Sequence, residues 1–318
     1  MAFDFDAAVT APFRMQPGLR RIAPEVPQLT PLASGSRHQR EKLAVLSAYA
    51  PDALLCTPGF DAAPALNALA THAAAEHPGA WAWDGTRAVA HHLGVAVGPG
   101  GALESVRAGT FGLGDEIGRC LAGLEPRWRL AGLLALAFAE DLAIVDGSNG
   151  TIPWLAVALP SFWSPREKVG RPFAAVHAPV ADNAMLLKAA DALVATITAP
   201  GRWERFVWTL TPHTRLHAHP DHVDPRRWEL AGEGPIAPRA WFRSERQTFL
   251  PVPGHRQAVF TIEIDVQPLL QVAADRSRAQ ALHAAVSSMS PAVLAYRGLA
   301  PVRESLLQAL ADLAAAPS

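Results

Sequence analysis

The stretch Trp241-Phe242-Arg243-Ser244-Glu245-Arg246-Gln247-Thr248-Phe249-Leu250 is followed by Pro251-Val252-Pro253-Gly254. Then comes Ala258-Val259-Phe260-Thr261-Ile262-Glu263-Ile264-Asp265-Val266, and this passage decides the fold class. Two runs rich in aromatic and β-branched residues flank a Pro/Gly turn, which reads as a β-hairpin. Upstream, 142–145 and 152–159 flank Asp146-Gly147-Ser148-Asn149-Gly150 and form a second hairpin, and 205–210 is a fifth strand. Helical patterns surround them at 42–50, 62–75, 116–124, 126–140, 182–198 and 274–315, the last broken at Pro291 and Pro301. Strands joined by hairpins between helical ends predict an α+β fold with an antiparallel five-stranded sheet, not a βαβ array. Residues 1–40, with Pro17-Gly18, Pro24, Pro27 and Pro31, predict an extended N-terminal arm, and 274–315 a helical C-terminal tail.

Composition narrows the function classes. The chain has 318 residues, 50% of them hydrophobic and 18% charged, enough for a sizeable core. Lys and Arg total 28 against 29 Asp and Glu, a net charge of −1, so no field invites nucleic acid or anionic lipid. The longest clean apolar run, 130–139, is half the ~20 residues of a membrane helix. No basic segment precedes an apolar one at the N-terminus, and the expectation is a soluble cytoplasmic protein. Two cysteines, Cys56 and Cys120, exclude a disulfide scaffold, a four-cysteine zinc site and a self-contained iron–sulfur centre.

Several motifs carry possible chemistry. Gly98-Pro99-Gly100-Gly101 follows a strand-like run but does not complete a dinucleotide fingerprint, so it reads as a turn. His217-Ala218-His219-Pro220-Asp221-His222 matches H-x-H-x-D-H, a zinc-hydrolase run. The downstream ligands of such a site are missing, and a polar loop between strands is the preferred reading. His177 lies in an apolar run before Pro179 and suits either a turn histidine or an axial ligand to a buried planar cofactor. Alternation places Arg243, Glu245 and Gln247 on one face of their strand, and Phe242, Ser244, Arg246 and Thr248 on the other. Those arginines read equally as an exposed face paired with Glu263 or Asp265, or as holders of an anionic ligand.

Together, Glu140-Asp141-Leu142, Leu159-Pro160-Ser161-Phe162-Trp163, Glu167-Lys168-Val169-Gly170, Val176-His177-Ala178-Pro179-Val180 and Arg243 through Thr248 resemble the alpha-subunit-like family of heme-dependent oxidative N-demethylases. Phe13-Arg14 and Pro17-Gly18-Leu19-Arg20 resemble that family's arm, and the likeness spans about residues 12–270. The resemblance implies a PAS-like sheet in a single domain over 41–318 that holds one heme b. It implies His177 as proximal iron ligand, and Arg243 and Arg246 toward heme propionates or the distal pocket. Glu245 would face a substrate ammonium, so Glu245 and Arg246 would be the catalytic pair. Trp163 and Lys168 would line the pocket, and Trp208 matches a family tryptophan on the middle strand.

The implied reaction is oxidative N-demethylation of a small methylated (secondary) amine with O2, releasing formaldehyde. Electrons would come from partner reductase subunits carrying flavin and a [2Fe–2S] centre, which agrees with the shortage of cysteines here. Two departures stand out: the His-rich 213–222 loop, where His213 and His217 are rival iron ligands, and Glu263-Ile264-Asp265 in place of a more basic run. The alternatives are a non-catalytic PAS-like heme sensor or carrier, and a zinc hydrolase on His217–His222.

Overall fold

The hairpin read from 241–266 forms the middle of an antiparallel sheet of seven strands rather than five. The computed structural model describes residues 3–224, 227–231 and 234–315. In chain order the strands are β1 (Arg20–Arg21), β2 (Leu54–Cys56), β3 (Trp81–Trp83), β4 (Ala88–Ala90), β5 (Val95–Val97), β6 (Leu103–Ser105), β7 (Asp141–Asp146), β8 (Thr151–Ala156), β9 (Trp203–Thr211), β10 (Trp241–Pro251) and β11 (Gln257–Pro268). The large sheet runs β1-β9-β10-β11-β7-β8-β2, and β3 to β6 make a separate four-stranded meander. The five expected strands are therefore the contiguous centre of the sheet. The corrections lie at its two edges, where strands of two and three residues are too short to show alternation.

Turn chemistry fixes both hairpins. Between β7 and β8 the Asp146 carboxylate accepts from Ser148 N at 2.9 Å, and the Asn149 side chain accepts from Thr151 N at 3.0 Å. At Gly147 a Cβ would sit 2.8 Å from Thr198 Oγ1 and 2.9 Å from Arg256 O, so a side chain there would push the turn off the sheet. Between β10 and β11, Val252 N donates to Gln257 O at 2.8 Å.

Strand alternation then sorts the faces. Leu142, Ile144, Trp154, Ala156 and Val259 join the largest core cluster, with the helices Arg37–Ala48, Ala63–Glu76 and Arg129–Ala137. Val145, Phe249 and Ala258 on the other face pack on Val194 and Ile197 of the helix Ala190–Thr198. The C-terminal helices Arg276–Ser287, Pro291–Tyr296 and Arg303–Ala315 form a further cluster with Phe5, Trp208 and Phe242. Pro291 opens one of these helices, where a missing N–H costs nothing.

The helix expected over 126–140 ends at Ala137. Phe138 is extended, and the fully buried Lys42 donates to Phe138 O at 3.1 Å and to Glu140 O at 2.6 Å. Lys42 also pairs with Asp141 Oδ1 at 3.4 Å, while Asp141 Oδ2 accepts from Leu159 N at 2.6 Å. Glu140-Asp141 thus turns the chain into β7 and ties it to the start of the 159–163 segment. The expected arm crosses the sheet: Gln28 Nε2 donates to Thr248 Oγ1 at 2.7 Å, and the Glu76 carboxylate accepts from Gln28 N and Leu29 N, each at 2.8 Å. No helix is long and apolar enough to cross a membrane among the described residues.

Candidate functional site

A cavity of about 540 Å³ lies against the face of the sheet that carries Arg243, Glu245 and Gln247. Its size falls in the range of cofactor and small-molecule sites. Ala143, Val145, Leu155, Phe249 and Phe260 floor it, and Trp163, Phe173 and Val176 close it from the segments after β8. A larger hollow of about 720 Å³ between the helices Arg37–Ala48 and Glu116–Gly123 is lined by Cys120, Trp128 and aliphatic residues, with Glu116, Arg119, Glu125 and Arg127 also on its wall. It brings no histidine and no sheet residue other than Leu54 to its wall, and the smaller cavity is the candidate site.

His177 enters this cavity from the last position of a short helix, Phe173–His177. Its Nδ1 is 2.8 Å from Phe173 O, and the carbonyl can only accept, so Nδ1 carries the hydrogen. Asn183 Nδ2 holds the end of that turn by donating to His177 O at 3.1 Å and Ala178 O at 2.8 Å. Asn183 therefore grips the His177 turn and does not cap the helix that follows. Burial, helped by the Arg205 and Lys168 cations, holds the His177 imidazole down to about 4 against the opposing Phe173 bond. The ring is neutral at pH 7, and Nε2 makes no hydrogen bond among the described residues. A neutral imidazole oriented through Nδ1–H and open at Nε2 is the state in which histidine ligates a metal.

The other expected site residues divide. Glu245 lines the cavity and accepts from Gln247 Nε2 at 2.6 Å. Lys168 lines it too, with Nζ donating to Val176 O at 3.2 Å, and burial lowers its pKa. Arg243 is 2% exposed and works as a clamp. Nε donates to Ser161 Oγ at 2.8 Å, Nη1 to Arg215 O at 3.1 Å, and Nη2 to Leu216 O at 2.8 Å and Pro160 O at 3.3 Å. Burial lowers its pKa to about 10, which leaves it charged at pH 7. These bonds hold the cavity wall 159–163 against the 215–218 loop. They also keep Phe162 in the left-handed region at φ 67°, a conformation unusual for a bulky residue.

One expectation needs correction. Arg246 faces away from the cavity: its Nε pairs with Glu204 Oε2 at 2.8 Å, its Nη1 donates to Pro27 O at 3.1 Å, and it is 3% exposed. It holds the arm to the far face, as alternation from Arg243 requires, and its partner is Glu204 rather than Glu263. Trp208 reaches one end of the cavity, but its indole stacks on Phe242 at 5.7 Å and its Nε1 donates to Ala8 O at 3.0 Å. Arg297 stacks over that indole and over Phe13 and donates to Trp208 O. Trp208 is thus committed to the N-terminal and C-terminal packing.

The His-rich loop makes a different arrangement from a zinc site. His217 Nδ1 must donate to Ala158 O at 2.7 Å, which makes Nε2 the acceptor from His222 Nδ1–H at 2.7 Å. His219 accepts from Asp221 N at 3.2 Å and reaches Ser164 Oγ at 3.1 Å through Nε2. The rings stack at 4.9 to 6.2 Å, and no group of three or more potential ligands fits a metal among the described residues. Ala218 N donates to Pro160 O and Phe162 N to Ala218 O, each at 3.0 Å, so the loop braces the cavity wall from outside.

The chain is thus an α+β protein whose candidate site is a sheet-floored cavity with aromatic walls, one open imidazole nitrogen and several cations. The sequence model of the family described as "Haem-dependent oxidative N-demethylase, alpha subunit-like" matches residues 125–307, more than half of the chain, and the chain belongs to this family. The matched span contains β7 to β11 and His177, so it covers most of the cavity. No curated protein matches the chain. Sequence reasoning missed Arg205, Gln28 and the grip of Asn183 on the His177 turn. A strand arginine, an arm glutamine and a loop asparagine carry no local signal of their partners.

Proposed function

We propose that this chain is the heme-binding subunit of an oxidative N-demethylase that acts on a small methylated amine. The observation that carries the reading is His177. It is neutral, oriented by Phe173 O and open at Nε2, on the wall of a cavity with aromatic sides. The residues present fit a heme: a planar apolar group with anionic edges suits Phe249, Phe260 and Trp163 together with the cavity's cations. A bound heme supplies the oxidation of the N-methyl carbon, in which the methylated amine, O2, two electrons and two protons give the demethylated amine, formaldehyde and water.

The chain's own residues set the conditions for that chemistry. His177 Nε2 would hold the iron. Glu245, steadied by Gln247, faces the cavity with a carboxylate suited to an ammonium group. The apolar walls exclude water and favour an amine with small alkyl groups. Electrons come from partner subunits carrying flavin and an iron–sulfur centre, and the alpha-subunit description of the family supports such an assembly.

The test is a hemin titration followed by turnover. Stoichiometric Soret development, abolished in His177→Ala, is expected. Formaldehyde release from dimethylamine with a reductant and O2 is expected as well. Heme binding that survives His177→Ala would remove the assignment of the ligand, and heme binding without turnover in a reconstituted assembly would favour a sensor.

A further inference from the structure

Arg205 lines the cavity from β9, opposite Gln247 in the register of β10. Its side chain makes no hydrogen bond or ion pair with any described residue, and its Nε is wholly buried without a partner. Of the other cavity cations, Arg14 is exposed to solvent and four are occupied. Arg243 is bound by carbonyls, Lys168 by Val176 O, and Arg297 by Trp208 O, while Arg20 is paired with Asp4 and Glu204. Glu245 acts on Arg205 through its charge but makes no ion pair with it, and its Oε2 is taken by Gln247. A guanidinium keeps its charge at neutral pH and offers five donors in a planar fork. With its Nε buried and unpartnered, such a group is costly, so this arrangement suits a cavity whose occupant brings the anion. The fork matches a carboxylate.

We propose that Arg205 is the carboxylate-binding residue of this cavity and grips a carboxylate of the molecule held beside His177. The inference rests on the heme reading for its first source of that group, the propionate edge of the cofactor. An N-methylated amino acid would present the same group to the same fork.

Ferric hemin and its dimethyl ester are titrated into the wild type, Arg205→Met and Arg205→Lys, followed by the Soret band. N-methylglycine and dimethylamine are then added to the loaded proteins. The expected result is that Arg205→Met binds hemin about tenfold to a hundredfold more weakly. Arg205→Lys should fall between, and the ester should bind all three alike. Equal hemin affinities, with a spectral response to N-methylglycine lost only in Arg205→Met, would place the carboxylate on the substrate instead. Equal behaviour of wild type and Arg205→Met in both arms overturns the proposal. If the wild type takes up no hemin, the heme reading fails by itself, and calorimetry of N-methylglycine with the heme-free proteins decides Arg205. The melting temperature of ligand-free Arg205→Met should equal or exceed that of the wild type. A clear drop would mean that the guanidinium already has a partner, and would also overturn the proposal.

Discussion

His177 Nδ1 lies 2.8 Å from the carbonyl oxygen of Phe173, four residues earlier in the same helical turn. That bond selects the tautomer, and the turn that makes it is held from behind by Asn183. The orientation of this imidazole is therefore a property of eleven consecutive residues, 173–183, and not of the sheet. Asn183→Ala should leave the fold intact and weaken hemin by about five- to tenfold, since each neutral hydrogen bond contributes about 1 kcal/mol. A titration at the Soret band checks it.

The depressed His177 pKa has a pH consequence of definite sign. The folded chain holds this ring neutral down to about 4, while an unfolded histidine takes a proton near 6.5. The unfolded state binds more protons between those values, so this contribution to stability is full above 6.5 and is lost as pH falls toward 4. In heme-free protein, His177→Phe should flatten the stability profile over that window, measured by urea unfolding at a series of pH values.

Glu76 staples the arm to the helix Ala63–Glu76. Burial pushes its carboxyl up, but His72 and the amides of Leu29 and Gln28 outweigh this and hold it at about 2. A carboxylate lowered in the folded state stabilises above its ordinary value near 4.5, and that part disappears as pH falls toward 2. Glu76→Gln should cost about 1.5–3 kcal/mol at pH 7. The gap to the wild type should close in acid, as chemical denaturation at pH 7 and pH 3 would show.

Glu140 has the opposite sign. Burial, with the Glu263 charge nearby, pushes it up to about 8. Stability from its protonated form is complete below its ordinary pKa near 4.5 and is lost as pH rises through 8. Glu140→Gln should match the wild type near pH 5 and exceed it by pH 9, read from melting temperatures across that range.

Arg246 and Glu204 form a buried pair on the face away from the cavity. Arg246→Met strands a carboxylate that, among the described residues, keeps only the half-exposed Arg20 as a partner, and should cost about 3–5 kcal/mol. Adding Glu204→Gln should recover part of this loss. Hemin affinity of the folded fraction should stay unchanged in both, which separates Arg246 from the cavity residues.

Legibility in the sequence followed the length of the periodic signal. Strict alternation over 243–249 placed Arg243, Glu245 and Gln247 on one face, and the structure puts all three on the cavity. The same rule already implied that Arg246 would point elsewhere, and the family likeness masked that implication. β1 to β6 have only two or three residues each, too few for a period, so of the small sheet only the strand-like run at Val95–Val97 showed, and neither edge of the large sheet did. Lys42 stands at the start of the helical pattern read over 42–50, and its acceptors Phe138 O and Glu140 O come nearly a hundred residues later. Arg205 needed the β9–β10 register before its face was known. Long-range pairing, not local propensity, carries that information.

The arm has an implication for the order in which the molecule is made. Gln28 is bonded to Thr248, 220 residues later, and Arg20 to Glu204, 184 residues later. The arm therefore leaves the ribosome long before the strands that these two side chains bond. His177 likewise precedes β9, β10 and β11, which build the floor opposite it. During synthesis the histidine exists before the chamber does, so ligand capture belongs to the finished chain rather than to a nascent one.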